Sequence, residues 1–139
     1  AMKQLNQLQR VANQRSVYLP ILRNSLPEMM RVFDAAEPSL IVGKRNETTV
    51  PTQALYLMNS PTVTAQANGM ARRIVNRTEK THDRIRLAYE LAFARAASDG
   101  EVSEAQEFLN NVSKEKATPG QWAVLCQALL ASAEFRYID

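Results

Sequence analysis

The chain has 139 residues, enough for one domain that buries roughly 68% of its unfolded surface without disulfides or metals. Apolar residues make up 45% and charged residues 22%, a globular composition in which no apolar run approaches the roughly 20 residues of a membrane-spanning helix. Seventeen basic against fourteen acidic residues leave a net charge of +3, a modest excess that does not mark a nucleic-acid binder, and the single Cys126 excludes an internal disulfide and a cysteine metal cluster.

The first residues, Ala-Met-Lys-Gln-Leu-Asn-Gln-Leu-Gln, lack the basic start, apolar stretch and cleavage site of a signal peptide, and Ala1-Met2 reads as a remnant ahead of a piece of a longer protein. Leu5, Leu8 and Ala12 share one stripe of a weakly signalled helix over residues 3 to 14. Residues 16 to 21 are rich in β-formers but interrupted by Pro20, which predicts a short extended segment. Ser25 and Glu28 have the spacing of a capping box and predict a helix running to about Ala36, with Leu26, Met29, Met30 and Phe33 on its apolar side. Leu40 to Val42 is a second short extended candidate, able to pair with Val17 to Leu19.

The tract from Arg45 to Pro61 crowds hydrogen-bonding side chains at the start of an apolar helix that begins near Val50, carries Pro51 in its first turn and ends near Asn59. Ser60-Pro61 then supplies a cap and a first helical position almost without a loop, followed by the stripe Val63, Ala67, Met70, Ala71 and Ile74. Thr81 or His82 opens a broadly apolar and therefore central helix with Ile85, Ala88, Tyr89 and Ala92. A second capping box, Ser98 with Glu101, leads into Val102, Ala105, Phe108, Leu109 and Val112. Thr118, Pro119 and Gln121 give the clearest helix start, before Trp122, Leu125, Cys126, Leu129 and Ala133. The pattern predicts an all-α orthogonal multi-helix bundle of six or seven helices, with short extended segments near 16–21 and 40–42, forming a single domain over 1–139.

Chemistry is sparse. The one histidine, His82, lies near a helix start beside Asp83 and reads as a surface or capping residue, and neither a Cys-x-x-Cys-His haem attachment nor a glycine-rich phosphate loop occurs. Cys126 lies among Leu125, Ala128, Leu129 and Leu130 and reads as a buried, inert thiol. No cofactor or metal is expected. The densest basic group, Arg72, Arg73, Arg77, Arg84 and Arg86, is interrupted by Glu79 and Asp83 and reads as a solvated face rather than a nucleic-acid footprint. Arg15, Arg23 and Arg45 flank the extended segments and have two readings. In one they lock loops to Asp34, Glu37 or helix-end carbonyls. In the other they form an anion-binding pocket with Asn46, Thr48, Thr49 and Gln53, aided by the positive end of the helix that starts near Val50.

Arg15-Ser-Val-Tyr18, Arg23-Asn24, Phe33-Asp34, Arg45-Asn46, Thr48-Thr49-Val-Pro51-Thr-Gln53-Ala-Leu55, Leu57-Met-Asn59-Ser-Pro61, Leu125-Cys-Gln-Ala-Leu-Leu130 and the closing Ser132-Ala-Glu-Phe135-Arg-Tyr137-Ile-Asp139 together resemble the planctomycete-type C-terminal domain of unknown function. One departure is local: Ala94-Arg95-Ala-Ala-Ser-Asp stands where that family often has Gly-Arg-Pro-Pro. The resemblance implies a periplasmic or extracellular module from the carboxyl end of a large exported protein, often one with cytochrome c domains upstream, and it carries over no catalytic or haem-ligating residue. The leading expectation is a noncatalytic interaction or scaffold module that packs against upstream domains or a protein partner, with exposed apolar surface that would let the chain alone form homo-oligomers. The alternative is a module that binds an anion or glycan, such as an anionic polysaccharide, in a site completed by upstream domains.

Overall fold

The computed structural model describes residues 16–18, 26–36, 41, 43, 51–112 and 117–137. Among them the only regular structure is helical: a 3₁₀ turn at Ser16–Tyr18, then α1 (Glu28–Val32), α2 (Pro51–Asn59), α3 (Pro61–Arg77), α4 (Thr81–Phe93), α5 (Asp99–Val112), α6 (Pro119–Ala131) and α7 (Ala133–Arg136). The all-α expectation holds. The chain forms two compact units, residues 1–56 and 57–139, with the boundary inside α2.

In the first unit, Ser16–Tyr18 turns as a 3₁₀ helix instead of extending, with Val17 and Tyr18 both exposed. A β-former sequence needs cross-strand pairs to hold a strand, and none exists among the described residues. Ile41 has no regular structure and is fully exposed, while Leu40, Val42 and the helix expected over 3 to 14 lie outside the described residues.

Ser25, half of the expected capping box, lies outside the described residues, and α1 starts later than that box predicts. Pro27 occupies the N-cap with extended backbone (φ −53°, ψ 142°), and Glu28 is the first helical residue. A residue before proline is pushed out of the α region, so a helix starting at Leu26 would have to hold it there against Pro27. α1 also stops at Val32 rather than near Ala36. Asp34 takes a left-handed conformation (φ 55°), and the Ala35 N–H donates to the Met30 carbonyl at 2.8 Å, the six-to-one bond of a Schellman closure.

In the second unit, the core is built from four helices: Ala67, Ala71 and Ile74 of α3, Ile85, Ala88 and Tyr89 of α4, Val102, Ala105 and Leu109 of α5, and Trp122, Ala123, Leu125, Cys126 and Leu129 of α6. α3 and α6 are the principal packing pair. Small Ala67 and Ala71, one turn apart and both fully buried, permit close approach of the bulky Trp122 stripe. Phe108, expected on the apolar side of α5, instead lies partly exposed at the margin.

The helix ends follow local chemistry. Ser98 and Glu101 form the complete capping box, with the Glu101 carboxylate accepting from Ser98 N–H at 2.7 Å and Ser98 Oγ accepting from Glu101 N–H at 3.3 Å. At the start of α6, Gln121 Oε1 accepts from Thr118 N–H at 2.6 Å. Ser60 occupies the N-cap of α3 ahead of Pro61, yet its hydroxyl makes no capping bond. The last helix is broken where continuity through Ala133 was expected. Ser132 Oγ donates to the Leu129 carbonyl at 2.7 Å and accepts from Phe135 N–H at 3.3 Å, ending α6 and capping α7, so Ala133 is exposed instead of joining the stripe.

Candidate functional site

Of the residues expected to form an anion pocket, Arg15, Arg23, Arg45, Asn46, Thr48 and Thr49 lie outside the described residues, as does Glu37. Gln53 is the one described, and it is buried in the first turn of α2. Its side-chain amide donates to the Val32 carbonyl at 3.2 Å, tying α2 to the end of α1, and Phe33 meets Tyr56 edge-on at 6.0 Å between ring centroids. Gln53 is therefore a joint inside the first unit.

Two arginines of the second unit do structural work that sequence reasoning missed. Arg84, grouped above with a solvated face, is buried at 5% exposure. Its Nε donates to the Thr78 carbonyl at 2.6 Å and its Nη2 to the Val75 carbonyl at 3.0 Å, so a fixed cation closes the C-terminal end of α3. The guanidinium also lies 5.8 Å from the centroid of the Trp122 ring. The available signal was position: Arg84 falls four residues before Ala88 on the buried side of α4. The Trp122 indole N–H is buried beside it without a hydrogen-bond partner.

Arg95, in the turn after α4, grips two carboxylates. Its Nη1 and Nη2 donate to Glu101 at 2.9 and 2.6 Å, and its Nε and Nη2 donate to Glu134 at 2.6 and 2.8 Å. This fork holds the short α7 to the α4–α5 turn. The Arg95 bonds hold the Glu101 carboxyl down at about 2, and they also depress Glu134. Tyr89, beneath Arg95, is pushed up first by burial and then by the charges of Glu101 and Glu104. The cluster is a lock rather than an open site, since the guanidinium is spent on internal partners.

The outer face of α6 has a different character. From Pro119 to Ala131 the helix carries no charged residue, and it is apolar on nearly every side. One side enters the core, while Val124 remains 53% exposed and Ala128 is exposed one turn on. Together with Met58, Gln127, Ala131 and Ser132 they line an open groove of about 460 Å³. Gln127 Nε2 fixes one wall by donating to the Met58 carbonyl at 2.6 Å. The groove, with apolar walls and the Gln127 amide held at its edge, is a candidate docking surface.

Cys126 is fully buried, and burial pushes its thiol up to about 12, which leaves it protonated and inert as expected. His82 sits half-exposed at the start of α4, 3.6 Å from Asp83. Among the described residues, no three His, Cys, Asp or Glu side chains converge as a metal site, and no helix is long and apolar enough to cross a membrane.

A helical unit with a buried thiol, two arginines, Arg84 and Arg95, spent on internal partners, and an open apolar groove is a small all-α module. The chain belongs to the PSD1 family, described as a protein of unknown function (DUF1553), whose model matches residues 2–109. The matched residues run through most of α5, so α6 and α7, which supply the groove and half of the principal packing pair, follow them. No curated protein and no solved structure matches the chain.

Proposed function

We infer that this chain is a noncatalytic docking module, and that the outer face of α6 receives an apolar surface of an upstream domain in a larger extracytoplasmic parent protein. The observation that carries the reading is the groove of Met58, Val124, Gln127, Ala128, Ala131 and Ser132 on a helix without a single charge. A solvated helix ordinarily opposes its apolar stripe with a charged one. α6 instead presents valine and alanine to water, a composition suited to a covered face. The upstream, exported setting comes from the resemblance of the segments named above to the planctomycete-type C-terminal domain, and it is part of the same reading.

The experiment is a charge introduced into the groove. Val124→Lys, on an exposed position, leaves the unfolding free energy of the isolated chain unchanged to within about 0.5 kcal/mol, the ordinary range for surface substitutions. In the intact parent the same change weakens the contact between this module and its neighbour, and limited proteolysis then releases the module faster. Equal proteolysis of parent and variant refutes the docking role.

A further inference from the structure

We propose that the solvent face of the C-terminal half of α3, carrying Arg72, Arg73 and Arg77, binds a sulfated or carboxylated polysaccharide. The surface is separate from the α6 groove and stands without it.

Charge is distributed unevenly along α3. Its seventeen residues include no acid, and all three basic residues fall within the last six positions, whereas the exposed residues of the first half are uncharged, among them Thr62, Thr64 and Gln66. Arg72, Arg73 and Arg77 are all exposed, with Asn76 between them and the exposed pair Glu79 and Lys80 beyond the helix end. None of the three has an ion pair or hydrogen bond from its side chain to another described residue. The other arginines of this unit are engaged: Arg84 with carbonyls, Arg86 with Asp99, Arg95 with Glu101 and Glu134, and Arg136 with the Ser132 carbonyl.

The ordinary explanation for arginines at a helix C-terminus is neutralisation of the negative end of the dipole and satisfaction of the last carbonyls. Here the buried Arg84 supplies the cation at that end and donates to the Val75 and Thr78 carbonyls, whereas no carbonyl among the described residues accepts from the three surface arginines. The surface arginines are surplus to that task. Arg73 and Arg77, one turn apart, also repel each other in the absence of a counter-ion. An anionic partner removes that repulsion, and guanidinium forks suit sulfate and carboxylate groups in particular.

The surroundings select the kind of polyanion. Every large exposed apolar side chain among the described residues lies outside α3 and α4. The patch therefore offers charge, amide and hydroxyl, with no aromatic platform for the base stacking that single-stranded nucleic acids use and no apolar anchor for a protein segment. A hydrated, hydroxyl-rich polymer with regularly spaced anions matches it.

The test uses the 139-residue chain with immobilised dextran sulfate, alginate and neutral dextran, and with single-stranded DNA as a competitor. Wild type binds the first two and not neutral dextran, and DNA competes poorly. The triple variant Arg72→Gln, Arg73→Gln, Arg77→Gln loses about tenfold or more in affinity and has a shallower dependence on salt. The triple lysine variant, which keeps the charge but not the fork, falls between the two. Arg86→Gln binds as wild type does. Circular dichroism melts that coincide with wild type show that the glutamine variant is folded. The proposal is overturned if wild type binds neither acidic polymer, if the folded triple glutamine variant binds as tightly as wild type, or if DNA displaces both polymers at equal charge concentration.

Discussion

Replacing Ala94 by glycine raises stability, and the size of the gain follows from the backbone. Ala94 ends α4 with φ 55° and ψ 24°, its N–H donating to the Glu90 carbonyl at 3.0 Å. The left-handed region brings Cβ too close to the following carbonyl oxygen, which costs an L-residue about 1–2 kcal/mol. Glycine escapes that strain but has more conformational freedom to lose on folding, which returns roughly 0.5–1 kcal/mol. At the midpoints of these ranges the balance is a net stabilisation of about 0.75 kcal/mol, or a rise of about 3–6 °C in melting temperature for a unit of this size. Ala94 is exposed, so no packing is lost in the exchange. Thermal denaturation followed by circular dichroism measures the effect directly. Ala94→Val, which adds a β-branch to the strained position, must move the midpoint the other way. A melting temperature for Ala94→Gly equal to or below that of wild type would show that the turn bears no left-handed strain and would refute the reasoning.

Other expectations concern the locks. Arg84→Met keeps much of the apolar stem but leaves the Val75 and Thr78 carbonyls without their donor, and urea denaturation should register a loss of about 2–4 kcal/mol. The carboxyls of Glu101 and Glu134 lie below their ordinary values in the folded chain, so the stability they contribute is complete above about 4.5 and is lost as pH falls, for Glu101 toward about 2. Wild type should therefore lose melting temperature more steeply over that window than Arg95→Gln does, and parallel profiles would contradict the assignment. Trp122→Phe removes a buried N–H that has no acceptor and should cost about 1–2 kcal/mol, well short of the roughly 3–5 kcal/mol of Trp122→Ala. Equal losses for the two variants would place the value of Trp122 in its N–H rather than its ring.

The second unit was largely legible because its helices carry both periodic stripes and start signals. The stripe of Ala67, Ala71 and Ile74, the Ser98–Glu101 box and the Thr118–Pro119 start each arise from contacts within a few residues, and local patterns record those directly. What escaped depends on partners far apart in the chain. Nothing near Arg95 announces Glu134, 39 positions away. Arg84 looked like one more member of a basic cluster, although its register with Ile85 and Ala88 put it on the inner side of α4. In the first unit the Ser25–Glu28 spacing gave the wrong start because Pro27 stands between the two residues and fixes an extended entry. The groove was not read from the sequence: the stripe of Trp122, Leu125, Cys126 and Leu129 marked the buried side of α6, and its exposed side became apparent once α3 had taken the Ala67–Ile74 contact.

The most direct measurement of the docking role is thiol labelling of Val124→Cys. Cys126 is buried and provides no competing site, so a maleimide reports on position 124 alone. The isolated chain should label rapidly, since Val124 is 53% exposed, and the intact parent protein should protect the same position by about tenfold or more, the retardation expected of a covered interface. Equal labelling rates in the two would contradict the account.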